Sequence, residues 1–211
     1  MNTSYLLSRK DFYFSVFLTR QGVCREKFSF LFEKIIEGIS LGNIFYECGV
    51  ATGGTAAVFA KILEDANTVG YKTQLHLFDT FNGMPEANPK YDNYHKKGDI
   101  PSNIEDTKNY IESFLKDPGF IHYHKGLMPD TFSGCETHEI AFAHIDVDLY
   151  QSYKVCLEFI YPRLLPKGTA VFDDYGHVSC EGAKTAVDEF CLATGCSLSK
   201  VYSLQYYLTK S

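Results

Sequence analysis

Acidic side chains stand at the ends of several short apolar runs: Glu47, Asp79, Asp146, Asp148, Asp173 and Asp174. Three of them, Asp146, Asp173 and Asp174, close two runs that would be neighbours in the usual order of a doubly wound sheet. Carboxylates gathered out of water repel one another, so such a group must raise a pKa or take up a cation. An oxygen-only donor set suits a hard ion, Mg2+ ahead of Ca2+ or Mn2+. Asp148 is expected instead to cap the helix that follows at Gln151.

A second constellation lies earlier, in Tyr46-Glu47-Cys48-Gly49-Val50-Ala51-Thr52-Gly53-Gly54-Thr55. Its glycines let the backbone turn tightly and approach a ligand closely. The turn lacks the Lys-Ser/Thr of a phosphate-binding P-loop, and its G-x-x-x-G spacing departs from the dinucleotide fingerprint. Glu47 would repel a pyrophosphate but suits a ligand that carries an amino group and a sulfonium. Taken alone, the turn reads equally well as a plain strand-to-helix connection. Asp79, at the tip of the next run, favours a nucleoside, because a carboxylate there accepts both ribose hydroxyls. Glu47, Gly49, Gly53, Thr55 and Asp79 are therefore candidate contacts for S-adenosylmethionine.

The histidines divide by context. His144 lies two residues from Asp146 and shares its strand face; it reads as a satisfied core residue. His95, in His95-Lys96-Lys97-Gly98-Asp99, is either a solvated loop residue or a general base folded over a substrate. His122 and His124 alternate along one strand without comparable context.

These groups need a sheet to hold them. Apolar runs predict strands at Ile44–Cys48, Gln74–Asp79, Phe120–His124, Ile140–Asp146 and Thr169–Asp173, with two more at Leu198–Tyr202 and Gln205–Thr209. Helical spacing covers 24–40, followed by Gly42, and much of Ser4–Thr19. Further helices fall at about Thr55–Asp65, Asn103–Lys116, Gln151–Arg163 and Glu181–Ala193, the second opened by a capping-box pattern, Ser102 with Glu105. Alternation of this kind gives an α/β fold with a parallel sheet covered on both faces. One of the last two runs is expected to lie antiparallel at the sheet edge. Residues 80–101 form the one long stretch without periodicity, which marks a candidate lid.

The 211 residues fit one domain (1–211, with N-terminal helices over 1–42), and 45% hydrophobic with 22% charged residues describes an ordinary soluble chain. A net charge of −6 argues against nucleic acid or an anionic membrane as partner. There is no window apolar enough to span a membrane and no signal-peptide pattern at Met1-Asn2-Thr3-Ser4-Tyr5, so a cytoplasmic location is expected. Seven cysteines without a C-x-x-C pair suggest reduced, structural thiols.

Together these segments resemble the macrocin O-methyltransferase family of S-adenosylmethionine-dependent enzymes that act on sugar hydroxyls. The matching pieces run in the family's order over roughly 44–195. They are the Glu47 turn, Phe78-Asp79-Thr80-Phe81-Asn82-Gly83-Met84-Pro85, His95 through Asp99, His144 through Ser152, Tyr161-Pro162-Arg163-Leu164, Pro166-Lys167-Gly168, Phe172-Asp173-Asp174-Tyr175-Gly176 and Ala186-Val187-Asp188-Glu189-Phe190. The resemblance implies a Rossmann-like class I fold with a seven-stranded sheet, Mg2+ dependence and a homo-oligomer. By position it places Glu47, Gly49 and Gly53 near the methionine part of the cofactor and Asp79 on the ribose. It places Asp146, Asp173 and Asp174 on the metal, and Asp130-Thr131 near the adenine. The chain has no tryptophan and ends Tyr206-Tyr207-Leu208-Thr209-Lys210, where the family pattern has an aromatic-Trp ending.

The chemistry expected is methyl transfer to one hydroxyl of a small-molecule acceptor, a sugar or other diol. The metal would lower that hydroxyl's pKa, and His95 or metal-bound Asp146 would take the proton. Two other classes compete. Asp146-Val147-Asp148 also fits the D-x-D pattern of a metal-dependent glycosyltransferase, and a non-catalytic binding module would keep the fold without the chemistry.

Overall fold

The computed structural model describes residues 3–19, 25–201 and 204–211. Five strands run parallel: β1 (Ile44–Cys48), β2 (Gln74–Asp79), β3 (Ile121–Lys125), β4 (Ile140–Ile145) and β5 (Leu164–Phe172). Adding β6 (Ser199–Lys200) and β7 (Tyr206–Thr209) gives one seven-stranded sheet in the order β3-β2-β1-β4-β5-β7-β6. β1 and β4 are buried at every position, which is why they read as continuous apolar runs. β7 is the reversed strand, antiparallel to both β5 and β6, so it lies one place in from the edge that was expected for it.

The helices are α1 (Ser4–Ser8), α2 (Lys10–Phe17), α3 (Arg25–Leu41), α4 (Gly54–Thr68), α5 (Ile104–Glu112), α6 (Tyr150–Arg163) and α7 (Glu181–Thr194). Neighbouring residues of one strand point to opposite faces, and two cores result. Phe45 and Phe142 join the core beneath α1 to α4, whereas Tyr46 and Ala143 join the core beneath α6 and α7. No described helix is long and apolar enough to cross a membrane. The six described cysteines are free thiols, four of them buried.

Several boundaries differ from the sequence expectation for local reasons. The first helix breaks at Arg9 into α1 and α2. β5 begins at Leu164, ahead of Thr169, although Lys167 takes a positive φ within it. The Ser102 capping box does not form. Asn103 caps α5 instead, its side chain accepting from the backbone N–H groups of Glu105 and Asp106. Cys24 and Tyr202, at the ends of two expected elements, lie outside the described residues.

The expected cap at Asp148 also fails, and its replacement ties down the 80–101 loop. The residue at the start of α6 is Leu149, with no side-chain bond. The carboxylate that accepts the Tyr150 N–H, at 2.9 Å, is Asp92 from the loop. Asp92 also accepts from the Asn88 N–H and packs so closely on α7 that a Cβ at Gly182 would meet its Oδ1 at 1.9 Å. Tyr91 stacks on Tyr150 beside it, with ring centroids 3.8 Å apart. Replacing Asp92 by Ala should therefore lower the unfolding free energy by about 1–2 kcal/mol. Urea denaturation checks this: an unchanged midpoint would mean that the loop is not anchored there.

Candidate active site

The carboxyl ends of β1, β2 and β4 meet at the glycine turn. Gly49 takes φ +84, and a Cβ on it would meet the Asp146 carbonyl oxygen at 1.7 Å. Only glycine allows that approach. Asp79 holds the turn from the other side: its Oδ2 accepts the N–H groups of Val50 (2.7 Å) and Ala51 (2.9 Å). Its Oδ1 accepts the Phe81 N–H at 2.6 Å. Thus Asp79 first shapes the backbone, and only part of Oδ1 is left for a ligand. Gly53 supplies a left-handed residue ahead of α4 and packs against Ile111 of α5.

A cavity of about 420 Å3 opens beside this turn. Glu47, Gly49, Thr55, Asp79, Asp146 and Asp148 line it, and Met84, Ile100 and Met128 bring apolar surface. Two wall atoms are buried without a hydrogen-bond partner: Glu47 Oε2 and Thr55 Oγ1. Buried polar atoms are nearly always paired, so two orphans on one cavity wall mark a place for a ligand's polar groups.

Behind the wall lies a charge network. His144 is fully buried, with Nδ1 3.3 Å from Glu47 Oε1 and Nε2 3.2 Å from Asp173 Oδ1. Burial opposes a charge on this ring, but the bonds to Asp173 and Glu47 outweigh it and raise its pKa to about 9. As an imidazolium it donates to both carboxylates. Lys27, from α3, places its Nζ 2.8 Å from Asp173 Oδ1, and Gln205 donates to the same oxygen. Asp173 is therefore held well below the usual carboxylate range despite its burial, by the His144 bond and the Lys27 charge.

Asp146 and Asp174 have no such direct ion pair among the described residues. Burial, then the charge of Asp173, pushes Asp146 up to about 7. Asp174 is raised by burial and by Asp146, Asp148 and Asp173, while its Oδ2 accepts from the Asp148 N–H and the Tyr153 hydroxyl. Glu47 is raised mainly by burial, against the pull of His144. Among the described residues, Lys27 and His144 are thus the cations closest to Glu47, Asp146 and Asp173.

The residues singled out in the sequence fall in two groups. Glu47, Gly49, Thr55, Asp79 and Asp146 line the cavity, while Asp173 and Asp174 stand immediately behind Asp146 and Asp148. His95 is set one carboxylate back: its Nε2 lies 3.5 Å from Asp148 Oδ1 and 3.6 Å from Cys180 Sγ. Lys27 and Gln205 escaped sequence reasoning because no motif surrounds them. The bridging role of His144 was available only as its shared face with Asp146.

Comparison with known proteins follows the same line. A family model for macrocin-O-methyltransferase (TylF) matches residues 25–199. The 8-demethyl-8-(2,3-dimethoxy-alpha-L-rhamnosyl)-tetracenomycin-C 4'-O-methyltransferase of Streptomyces olivaceus is 26% identical over 144 residues, 65% of this chain and 54% of that protein. The mycinamicin III 3''-O-methyltransferase of Micromonospora griseorubida is 27% identical over 146 residues, 65% and 57% of the two chains. The matched region thus spans little more than half of either relative. The solved structure of the O-methyltransferase NovP superposes with a TM-score of 0.75 at 22% identity, covering 88% of this chain and 80% of that one.

The charge network makes a testable demand on Lys27. Breaking a partly buried ion pair by removing one partner leaves the other uncompensated. Lys27→Met should lower the unfolding free energy by about 2–3 kcal/mol at pH 7, discounted for partial exposure. A depressed carboxylate stabilises the fold above its unfolded pKa, near 3.9, and loses that contribution as pH falls through its folded value. The deficit should therefore shrink below about pH 4. Denaturant titrations with EDTA present, at pH 7 and pH 3.5, measure both points; equal deficits at the two pH values would contradict the pairing.

Proposed function

This chain belongs to the macrocin-O-methyltransferase family, and from that premise we propose that it moves a methyl group from S-adenosylmethionine to a hydroxyl of a sugar or other diol-bearing small molecule. The observation that carries the proposal is the pair of unpartnered atoms on the cavity wall, Glu47 Oε2 and Thr55 Oγ1. The methionine end of the cofactor has complementary groups, an ammonium for Glu47 and a carboxylate for the Thr55 hydroxyl. A bound ammonium would also keep Glu47 ionised against the burial that now raises its pKa. Gly49 and Gly53 shape the turn, and the remaining capacity of Asp79 Oδ1 is assigned to the ribose. The apolar surface of Met84, Ile100 and Met128 suits the flat faces of the nucleoside.

Asp146, Asp173 and Asp174 would hold Mg2+. The donor set fits by its chemistry: burial raises Asp146 and Asp174, neighbouring carboxylates raise them further, and a hard cation would supply the counter-charge. Lys27 and His144, the latter shared with Glu47, already bond Asp173 directly, so it would serve as the most weakly committed ligand. When bound, Mg2+ lowers the pKa of an acceptor hydroxyl beside it.

The remaining steps rest on the chain's own groups. Asp146 lines the cavity and is the group placed to take the acceptor's proton; a bound cation would draw its pKa back down from the value to which burial and Asp173 raise it. His95 is the alternative base and would act through Asp148, which separates it from the cavity. Residues 84 and 100 bring the loop over the cavity mouth, where it would exclude water from the reacting methyl group. The family match supports methyl transfer over a glycosyltransferase reading of Asp146-Val147-Asp148. The homo-oligomer and the cytoplasmic location expected from the sequence belong to the same proposal.

Calorimetric titration with S-adenosylhomocysteine, beside methyl transfer to a panel of sugar diols with Mg2+ supplied, tests the reading. Asp146→Asn should lower turnover by about a hundredfold or more while cofactor affinity stays close to wild type. Glu47→Gln should weaken S-adenosylhomocysteine by about tenfold or more, since a hydrogen bond to a charged group is lost. Wild-type turnover in Asp146→Asn would remove that residue from the chemistry. A response to nucleoside diphosphates with none to S-adenosylhomocysteine would favour glycosyl transfer.

A further inference from the structure

On the sheet face beneath α6, at the β1-β2-β3 edge, a second cluster of ligating side chains has no part in the cavity. His76 of β2 places its Nδ1 3.0 Å from Nε2 of His124 on β3. Cys135 closes a triangle with them: one ligand atom from each of the three lies within 4.8 Å of the others. His138 flanks the group, its ring centroid 4.6 Å from that of His76 and its Nδ1 2.6 Å from the Tyr46 hydroxyl.

Strands bring the two rings together and a connecting segment brings the thiol: His76 pairs with His122 on β3, which leaves His124 two residues along on the same strand face, and Cys135 comes from the segment between β3 and β4. Yet the hydrogen bonding is incomplete. His76 is only 5% exposed, and its Nε2 has no partner. A buried ring nitrogen left unpaired is unfavourable, and the bond between His76 and His124 satisfies one nitrogen of each.

We propose that His76, His124 and Cys135 form a binding site for Zn2+, separate from the carboxylate cluster. Two imidazoles and a thiolate are the donors Zn2+ takes in tetrahedral sites, unlike the oxygen donors that suit Mg2+. The two ring nitrogens are already close to the spacing of such a site, whose ligand-to-ligand edge is roughly 3.3 Å for Zn–N bonds of about 2.0 Å. The fourth position falls to water or to His138. Burial and the neighbouring imidazoles hold His76 and His124 well below the ordinary histidine pKa, so both present neutral nitrogens. Burial raises the Cys135 thiol, so its proton passes to solvent as the Zn–S bond forms.

The test uses the full chain, stripped with chelator and titrated with ZnCl2 against a chromogenic competitor, then with CoCl2 as a spectroscopic substitute. One equivalent of each ion should bind, and the Co2+ form should show a thiolate-to-metal charge-transfer band. Cys135→Ser should abolish that band, and both Cys135→Ser and His124→Gln should weaken Zn2+ by at least about tenfold. Cys180→Ser, which removes the thiol beside His95, should leave both signals unchanged. Circular dichroism establishes that the variants fold; should Cys135→Ser fail to fold, His124→Gln on the edge strand carries the test. Absence of stoichiometric Zn2+ on the wild-type chain would overturn the proposal, as would a wild-type Co2+ spectrum in Cys135→Ser.

Discussion

The imidazole of His144, fully buried between Glu47 and Asp173, is the interaction on which the rest of the site depends. β1, β4 and β5 are consecutive in the sheet, and His144 sits on the middle one, opposite Glu47 in register. Two acids that would otherwise be buried close together with no cation between them are thereby joined. Removing water from a carboxylate is expensive unless a charged hydrogen-bond partner replaces it. His144 partners one oxygen of Glu47 and leaves Oε2 facing the cavity wall without a partner. The same ring, with Lys27, makes Asp173 the one strongly ionised member of its cluster.

A second constraint is the glycine turn after β1. Gly49 brings the β1 turn against the Asp146 carbonyl, and Asp79 clamps the turn's backbone from β2. The cavity wall and the acid cluster are therefore parts of one rigid junction and not two loops that happen to meet. Loop 80–101 joins it by an independent route, since Asp92 accepts the Tyr150 N–H at the start of α6 as its anchor. Structure and chemistry draw on the same few atoms here. The orphaned oxygens and raised carboxylates are stability given up locally, a common mark of a site shaped for ligands.

Much of this was legible in the sequence because the strands are short, apolar and buried on both faces. The acids at their ends, Glu47, Asp79, Asp146, Asp173 and Asp174, stood out against that background, and the fold class made the strands that end at Asp146 and Asp173 neighbours. What was illegible depended on contacts between distant segments. Lys27 is separated by 146 positions from Asp173, and nothing near it in the chain indicates where its amine goes. Asp92 resembles any loop aspartate until α6 is placed beside it, which is why the cap was assigned to Asp148. Asp79 was read as a ligand contact alone, since the backbone N–H groups it accepts are invisible in a list of residue types. The cluster of His76, His124 and Cys135 was likewise hidden, because two strands and the segment between β3 and β4, not sequence spacing, gather it.

On the proposed function, the wall carrying Glu47 and Thr55 would hold the methionine end of S-adenosylmethionine. A crystal structure of the chain grown with S-adenosylhomocysteine reads this directly. The expected density places the ligand's amino group within hydrogen-bond distance of Glu47 Oε2 and its carboxylate beside the Thr55 hydroxyl. Density for the ligand elsewhere on the chain, or an orientation that turns the amino group away from Glu47, would contradict the assignment.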